Sequence, residues 1–210
     1  MKATINTTEK KLIQAGIRLA KVHGLKFSVR QLCAKSKVNL GLFHYYFKNK
    51  ENFDKQLLSA VYQQMLADIT PRLSPDMTPR ENIKTILLAL HRFAYSNRMF
   101  LSSLLGDVLS GNKQMLHFLT KNFTQHAALL LHELKRADIC PTLKNQPLPA
   151  LMSGLAFPVI FPQIFMGLLE RVGVSSVPFD TTPLQHIVED EANLTARIEH
   201  SLNSIFGEAK

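Results

Sequence analysis

Within residues 44–50, His44, Tyr45, Tyr46, Lys48 and Lys50 combine an imidazole, two phenols and two ammonium groups. That set suits nucleic-acid recognition: cations and hydroxyls hold phosphates, while aromatic and polar groups reach base edges. The charge distribution points the same way. The 210 residues carry a net charge of +9; residues 1–55 hold 12 Lys or Arg against 3 Asp or Glu, and residues 56–210 hold 13 of each. A basic module on a neutral body is the footprint of a nucleic-acid binder, and a basic surface kept only for solubility would give the same count. Enzyme chemistry lacks its usual signatures: the sequence has no P-loop, no dinucleotide fingerprint, no Gly-x-Ser-x-Gly, no paired-cysteine zinc motif and no His-Glu-x-x-His. His117, His126 and His132 are nine and six residues apart, which does not put them on one helix face. The chain is therefore read as neither an enzyme nor a holder of a metal or cofactor.

Short helices must position these groups. Leu12, Ala15, Gly16, Leu19 and Ala20 share one face of a first helix opening at Thr8, and Gly24 stops it. Ser28 is placed to cap a second helix from Val29 to Ala34 or Lys35, and Asn39 a third from Leu40 to Phe47. The intervening Lys35-Ser36-Lys37-Val38 makes a tight turn. The second and third helices would lock through Val29, Leu32, Cys33, Val38, Leu42 or Phe43, and Phe47. Three short helices with two tight connections match a supported helix-turn-helix.

These residues resemble the tetracycline-repressor (TetR) family of regulators. The first helix with its Gly24 stop, Ser28-Val29-Arg30-Gln31-Leu32-Cys33, and Val38 to Phe47 followed by Lys48-Asn49-Lys50-Glu51-Asn52-Phe53 carry the resemblance over roughly residues 8–58. It departs from the family at Lys37 (usually Gly), Asn39 (usually Ser) and His44 (usually Tyr), and the Gly24–Ser28 span is one residue shorter. The resemblance implies phosphate contacts from Ser28, Tyr46 and Lys50. It places Arg30, Leu40, Gly41, Leu42 and His44 at base edges, and Tyr45 against the backbone or a thymine methyl. With the cap Asn39 and the cation Lys48 these form the expected DNA-binding set.

The rest of the chain reads as further helices: about Glu51–Ile69, Pro79–Arg98, Phe100–Leu109, Lys113–Ala137, Leu148–Val172 and Pro183–Phe206. The expectation is an all-α protein, with a helix-turn-helix domain over 1–55 and a larger ligand-sensing and dimerisation domain over 56–210. From Asn145 to Leu169 no residue is charged. Pro149, Pro158 and Pro162 within that run favour a buried, proline-kinked helix over a membrane span. By resemblance, residues 148–172 and 183–206 form a four-helix interface with a second copy. The body would also enclose a pocket for an unknown small effector, for which the apolar candidates are Phe93, Met99, Phe100, Met115, Phe118, Phe123, Met152, Phe157, Phe161, Phe165 and Met166. Two cysteines, Cys33 and Cys140, read as free thiols of a cytoplasmic protein, and the first residues lack the apolar core of a signal peptide. The function implied is a sequence-specific repressor, released from a pseudo-palindromic operator by a small apolar ligand. The alternatives are an architectural DNA-binding protein and a helical adaptor with no ligand response.

Overall fold

The computed structural model describes residues 7–122, 124–139, 143, 145–173, 176, 178 and 180–207. Among them the protein is all-α, with no strand. The first three helices are α1 (Thr7–His23), α2 (Val29–Ser36) and α3 (Leu40–Phe47). Then come α4 (Lys50–Ile69), a 3₁₀ turn (Thr70–Arg72) that accommodates Pro71, α5 (Pro79–Ser96) and α6 (Arg98–Leu109). The chain continues through α7 (Lys113–Asn122), α8 (Gln125–Arg136), α9 (Leu148–Val172), α10 (Thr182–Glu189) and α11 (Glu191–Phe206).

Two of the expected helices are each split. The segment expected as one helix over 113–137 forms α7 and α8. No Gly or Pro marks that break. The Tyr62 hydroxyl, on α4, accepts the otherwise free His126 N–H at 3.2 Å and lies 2.9 Å from His126 Nδ1, so a tertiary partner caps the start of α8. The segment expected over 183–206 breaks at Asp190, whose carboxylate accepts the Ala192 N–H at 2.8 Å and caps α11.

The core has two main parts, and α4 runs through both. Phe53, Leu57, Leu58 and Val61 pack with Leu12, Leu32, Phe43 and Phe47 of the first three helices, and with Phe100, Leu104 and Met115 of α6 and α7. The C-terminal half of α4, from Tyr62 to Ile69, packs instead with Ile83, Ile86, Leu87, Leu155, Ile198 and Leu202. A head and a body are therefore joined by one continuous helix.

Close approaches on both sides of α6 make a second junction. Gly24 adopts φ +59°, and a methyl there would meet the Met99 carbonyl oxygen at 2.9 Å and the Ser103 hydroxyl. On the other side, a methyl on Gly167 of α9 would fall 2.7 Å from the Arg98 carbonyl carbon. Arg98 Nε pairs with Glu170 at 2.8 Å, and Arg171 Nη1 donates to the Ser102 carbonyl at 2.7 Å. The helix α6 is thus gripped by the head loop and by α9.

The helix α9 continues through Pro158 and Pro162. Pro162 has no N–H to offer the Pro158 carbonyl, and Arg197 Nη1 donates to that oxygen at 3.1 Å. Its Nη2 donates to Ile187 O, near the end of α10, at 2.7 Å. By length and composition Pro149–Val172 is long and apolar enough to cross a membrane; in the fold it packs against α5, α6, α8, α10 and α11. Its burial is one-sided, since Phe157, Phe161 and Val172 are exposed.

Candidate nucleic-acid interface

Local capping fixes the ends of α2 and α3. Ser28 Oγ accepts the Gln31 N–H at 3.1 Å while Gln31 Oε1 accepts the Ser28 N–H at 2.7 Å, a reciprocal capping box. The turn closes at Lys37, in the left-handed conformation (φ 55°, ψ 38°), with Val38 N–H bonded to Cys33 O at 3.1 Å and Lys37 N–H to Ala34 O at 3.3 Å. A lysine held there costs about 1 kcal/mol relative to the glycine that the turn favours. Asn39 Oδ1 then accepts Leu42 N–H at 2.8 Å and starts α3.

The inward face of α3 is aromatic. Phe43 and Phe47 are fully buried, with ring centroids 5.4 Å apart, and Phe53 stands edge-on to Phe47 at 4.9 Å. Phe43 therefore locks the helix and Leu42 faces out. Arg30, Leu40, Gly41, Leu42, His44, Tyr45 and Lys48 are all exposed, Tyr45 to 76%. Tyr46 is half-buried and meets Tyr45 edge to face at 5.1 Å. His44 Nδ1 lies 2.9 Å from the Lys48 carbonyl, so the neutral ring carries its proton on Nδ1 and leaves Nε2 as an acceptor. Ser28 and Asn39 keep a hydroxyl proton and an amide NH₂ beyond their capping bonds.

Lys50, given a phosphate role by resemblance, is engaged within the protein in this structure. Its Nζ bonds Asp54 Oδ1 at 2.5 Å and the Leu25 carbonyl at 3.3 Å, and stands 4.2 Å from the centroid of the Phe27 ring. Burial pushes the Asp54 carboxyl above its ordinary range, and Lys50 pulls against that shift. The lysine braces the head from inside. The Cys33 thiol is buried, and desolvation pushes its pKa up, which disfavours the thiolate; Cys140 lies outside the described residues.

Among the described residues, those expected around an effector pocket line several different surfaces. Phe100 and Met115 belong to the head core and Met152 packs on the body core. Met166 forms a small cluster with Leu169 and Val188, flanked by Phe165. Phe118 lines a shallow groove beside Lys55 and His117, and Met99 lines another beside Phe27 and Arg171. Phe93 lines a cavity of about 290 Å³ between α1, α4 and α5, with apolar Ile17, Val61, Met65 and Ala89 and polar Lys21, Gln64, Asp68 and Arg92. Phe157 and Phe161 project from α9 and stack at 4.6 Å; Phe165 continues the ladder at 5.9 Å. Phe123 lies outside the described residues. Helical spacing identifies apolar faces without saying what each face meets.

No protein-family model and no curated protein matches the sequence. Solved structures do match. A TetR-family transcriptional regulator from Rhodococcus sp. superposes with a TM-score of 0.68 at 11% identity, over 94% of this chain and 100% of that one. One from Vibrio parahaemolyticus gives 0.58 at 18% identity, over 96% and 100% of the two chains. A third, from Shewanella sp. PV-4, gives 0.60 at 10% identity, over 95% and 98%. The fold is that of TetR-family regulators. In that fold the capped α2–α3 pair and the outward face of α3 form the candidate interface, and α4 and α6 connect it to the body.

Sequence reading passed over the cations that flank this pair. Lys10, Lys11 and Arg18 of α1, with Lys35 and Lys37 at the end of α2, line one groove. The signal available for them was the concentration of charge in residues 1–55.

Proposed function

We propose that the chain is a sequence-specific, duplex-DNA-binding transcriptional regulator acting as a cytoplasmic homodimer, a repressor released from its operator by a small apolar ligand. One observation carries the reading: a short helix capped at its start by Asn39 and locked by buried Phe43 and Phe47 presents Leu40, Gly41, Leu42, His44 and Tyr45 to solvent. Such a face suits the major groove, where His44 Nε2 would accept from a base amino group and the apolar side chains would meet thymine methyls. Tyr46, Lys48 and the free hydroxyl proton of Ser28 would hold phosphates, and Arg30 would reach a base edge.

Dimerisation rests on α9 with α10 and α11, the segments 148–172 and 183–206. Exposed Phe157 and Phe161, continued by half-buried Phe165, form an apolar strip that a second copy would cover. A two-fold dimer would set two α3 helices about 34–36 Å apart, or further on a deformed duplex, and would select a pseudo-palindrome. For release, the cavity between α1, α4 and α5 is the candidate seat: Ile17, Val61, Met65, Ala89 and Phe93 would meet an apolar ligand, and Lys21, Gln64, Asp68 and Arg92 give the same cavity polar walls. A ligand seated there would act through its preference between two head orientations and no further.

Selection of bound sequences from a random duplex pool tests the reading. Recovery of a pseudo-palindrome by the wild type, lost with Tyr45→Ala, is expected. Enrichment of no sequence at moderate ionic strength would overturn it and favour an architectural role or an adaptor.

A further inference from the structure

The outward face of α3 accounts for little of the positive charge in the head, and five of the remaining cations converge. Lys10, Lys11 and Arg18 on α1 and Lys35 and Lys37 at the end of α2 line a groove of about 480 Å³ whose other walls are Thr7, Gln14 and Ser36. No carboxylate lines it. Glu9, the acid of α1, lies outside it, and among the described residues none of the five cations has a carboxylate partner. The Ser36 hydroxyl is turned back onto the Leu32 and Cys33 carbonyls, so it does not compete for the groove.

Two features give this charge a direction. The groove is continuous with the recognition surface: Lys37 is two residues ahead of Asn39, and Lys35, Lys37, Asn39, Leu40 and Gly41 are all exposed. Its cations also come from two elements that the fold fixes against each other, since α1 and α2 pack together around Leu12, Ala15 and Leu32. An anionic partner would meet several of these charges at once. Five cations in one carboxylate-free groove offer more charge than a single small anion neutralises, and a row of phosphates can meet them together.

We propose that this groove is a second phosphate-binding surface, which grips the duplex backbone beyond the base pairs read by α3. The proposal rests on duplex binding by α3 and adds to it a sequence-independent term. Each phosphate neutralised releases counterions, so the affinity should carry a salt dependence larger than the recognition surface alone supplies. The groove would lengthen the bound duplex and contribute equally to operator and to random DNA.

The test measures affinity against salt for a random-sequence duplex about three helical turns long. It compares the wild type with Lys10→Gln/Lys11→Gln/Lys35→Gln/Lys37→Gln and with the charge-preserving Lys→Arg set at the same positions. The glutamine variant should lose slope by about 0.9 for each phosphate contact removed, or about 3 to 4 for each protomer bound. The arginine variant should keep the wild-type slope. Thermal melting should be alike for all three, because these side chains are exposed. On a duplex trimmed to the base pairs read by α3, the glutamine variant and the wild type should converge. A glutamine variant with wild-type slope on the long duplex would overturn the groove and leave recognition by α3 intact. A wild type with no duplex affinity would overturn both.

Discussion

Tyr45 and Lys50 are five positions apart, and the fold turns one outward and the other inward. Lys50→Met keeps the apolar stem but removes the ammonium from Asp54, Leu25 O and the Phe27 ring. It leaves a carboxylate whose side chain is only 13% exposed without its partner. The expected cost is about 1–2 kcal/mol of stability, read as a lower midpoint in denaturant, with the salt slope of DNA binding unchanged. Retained stability with a slope shallower by about 1 would return Lys50 to the phosphate contacts. The sequence shows Lys50 and Asp54 one helical turn apart, so their pairing was legible. The placement of Lys50 over Phe27 was not, because that ring comes from the loop before α2. At the same scale Ser28 and Asn39 were legible as caps, since capping depends on residue type and a fixed offset.

Elements were legible where their boundaries are local. The limits of α3 and α9 match the expectation from Asn39, from Lys48-Asn49-Lys50 and from the uncharged run. The break between α7 and α8 was not legible, because its cap is the Tyr62 hydroxyl from a distant helix. The α6–α9 contact is equally hidden, and it supports a direct test. Gly167→Ala would push a methyl against the Arg98 backbone and should cost about 1–3 kcal/mol. Gly154→Ala on the same helix, where the methyl meets open space, should not destabilise the fold. Equal stability for the two variants would contradict the close packing. Between α5 and α9, His91 is buried beside Gln163, with its Nδ1 3.3 Å from Nε2, and its pKa is lowered to about 4 by desolvation and by Arg197 and Arg92. The folded state then resists a proton that the unfolded chain accepts. The contribution of His91 is therefore complete above pH 6.5 and is lost as pH falls from 6.5 towards 4. Stability curves across that window should drop less for His91→Gln than for the wild type; parallel curves would refute the assignment.

For the whole molecule, the excess positive charge was legible as a property of residues 1–55, because composition records charge without any knowledge of the fold. The sequence also showed that α9 is unusually apolar. It did not show that α9 is buried on one side and carries an aromatic ladder on the other. If a second copy covers that ladder, Phe157→Asp/Phe161→Asp should sediment as a monomer at concentrations where the wild type is a dimer, and should lose operator affinity through the loss of the second half-site. A variant that stays dimeric would place the interface elsewhere. The most direct test of the central claim, that the outward face of α3 reads a duplex, is the ratio of affinities for a selected site and for random DNA, measured at fixed salt. The account predicts a ratio of about 10³ or more for the wild type and one close to unity for Tyr45→Ala at unchanged thermal stability. A wild-type ratio near unity, or a Tyr45→Ala protein that discriminates as well as the wild type, would contradict it.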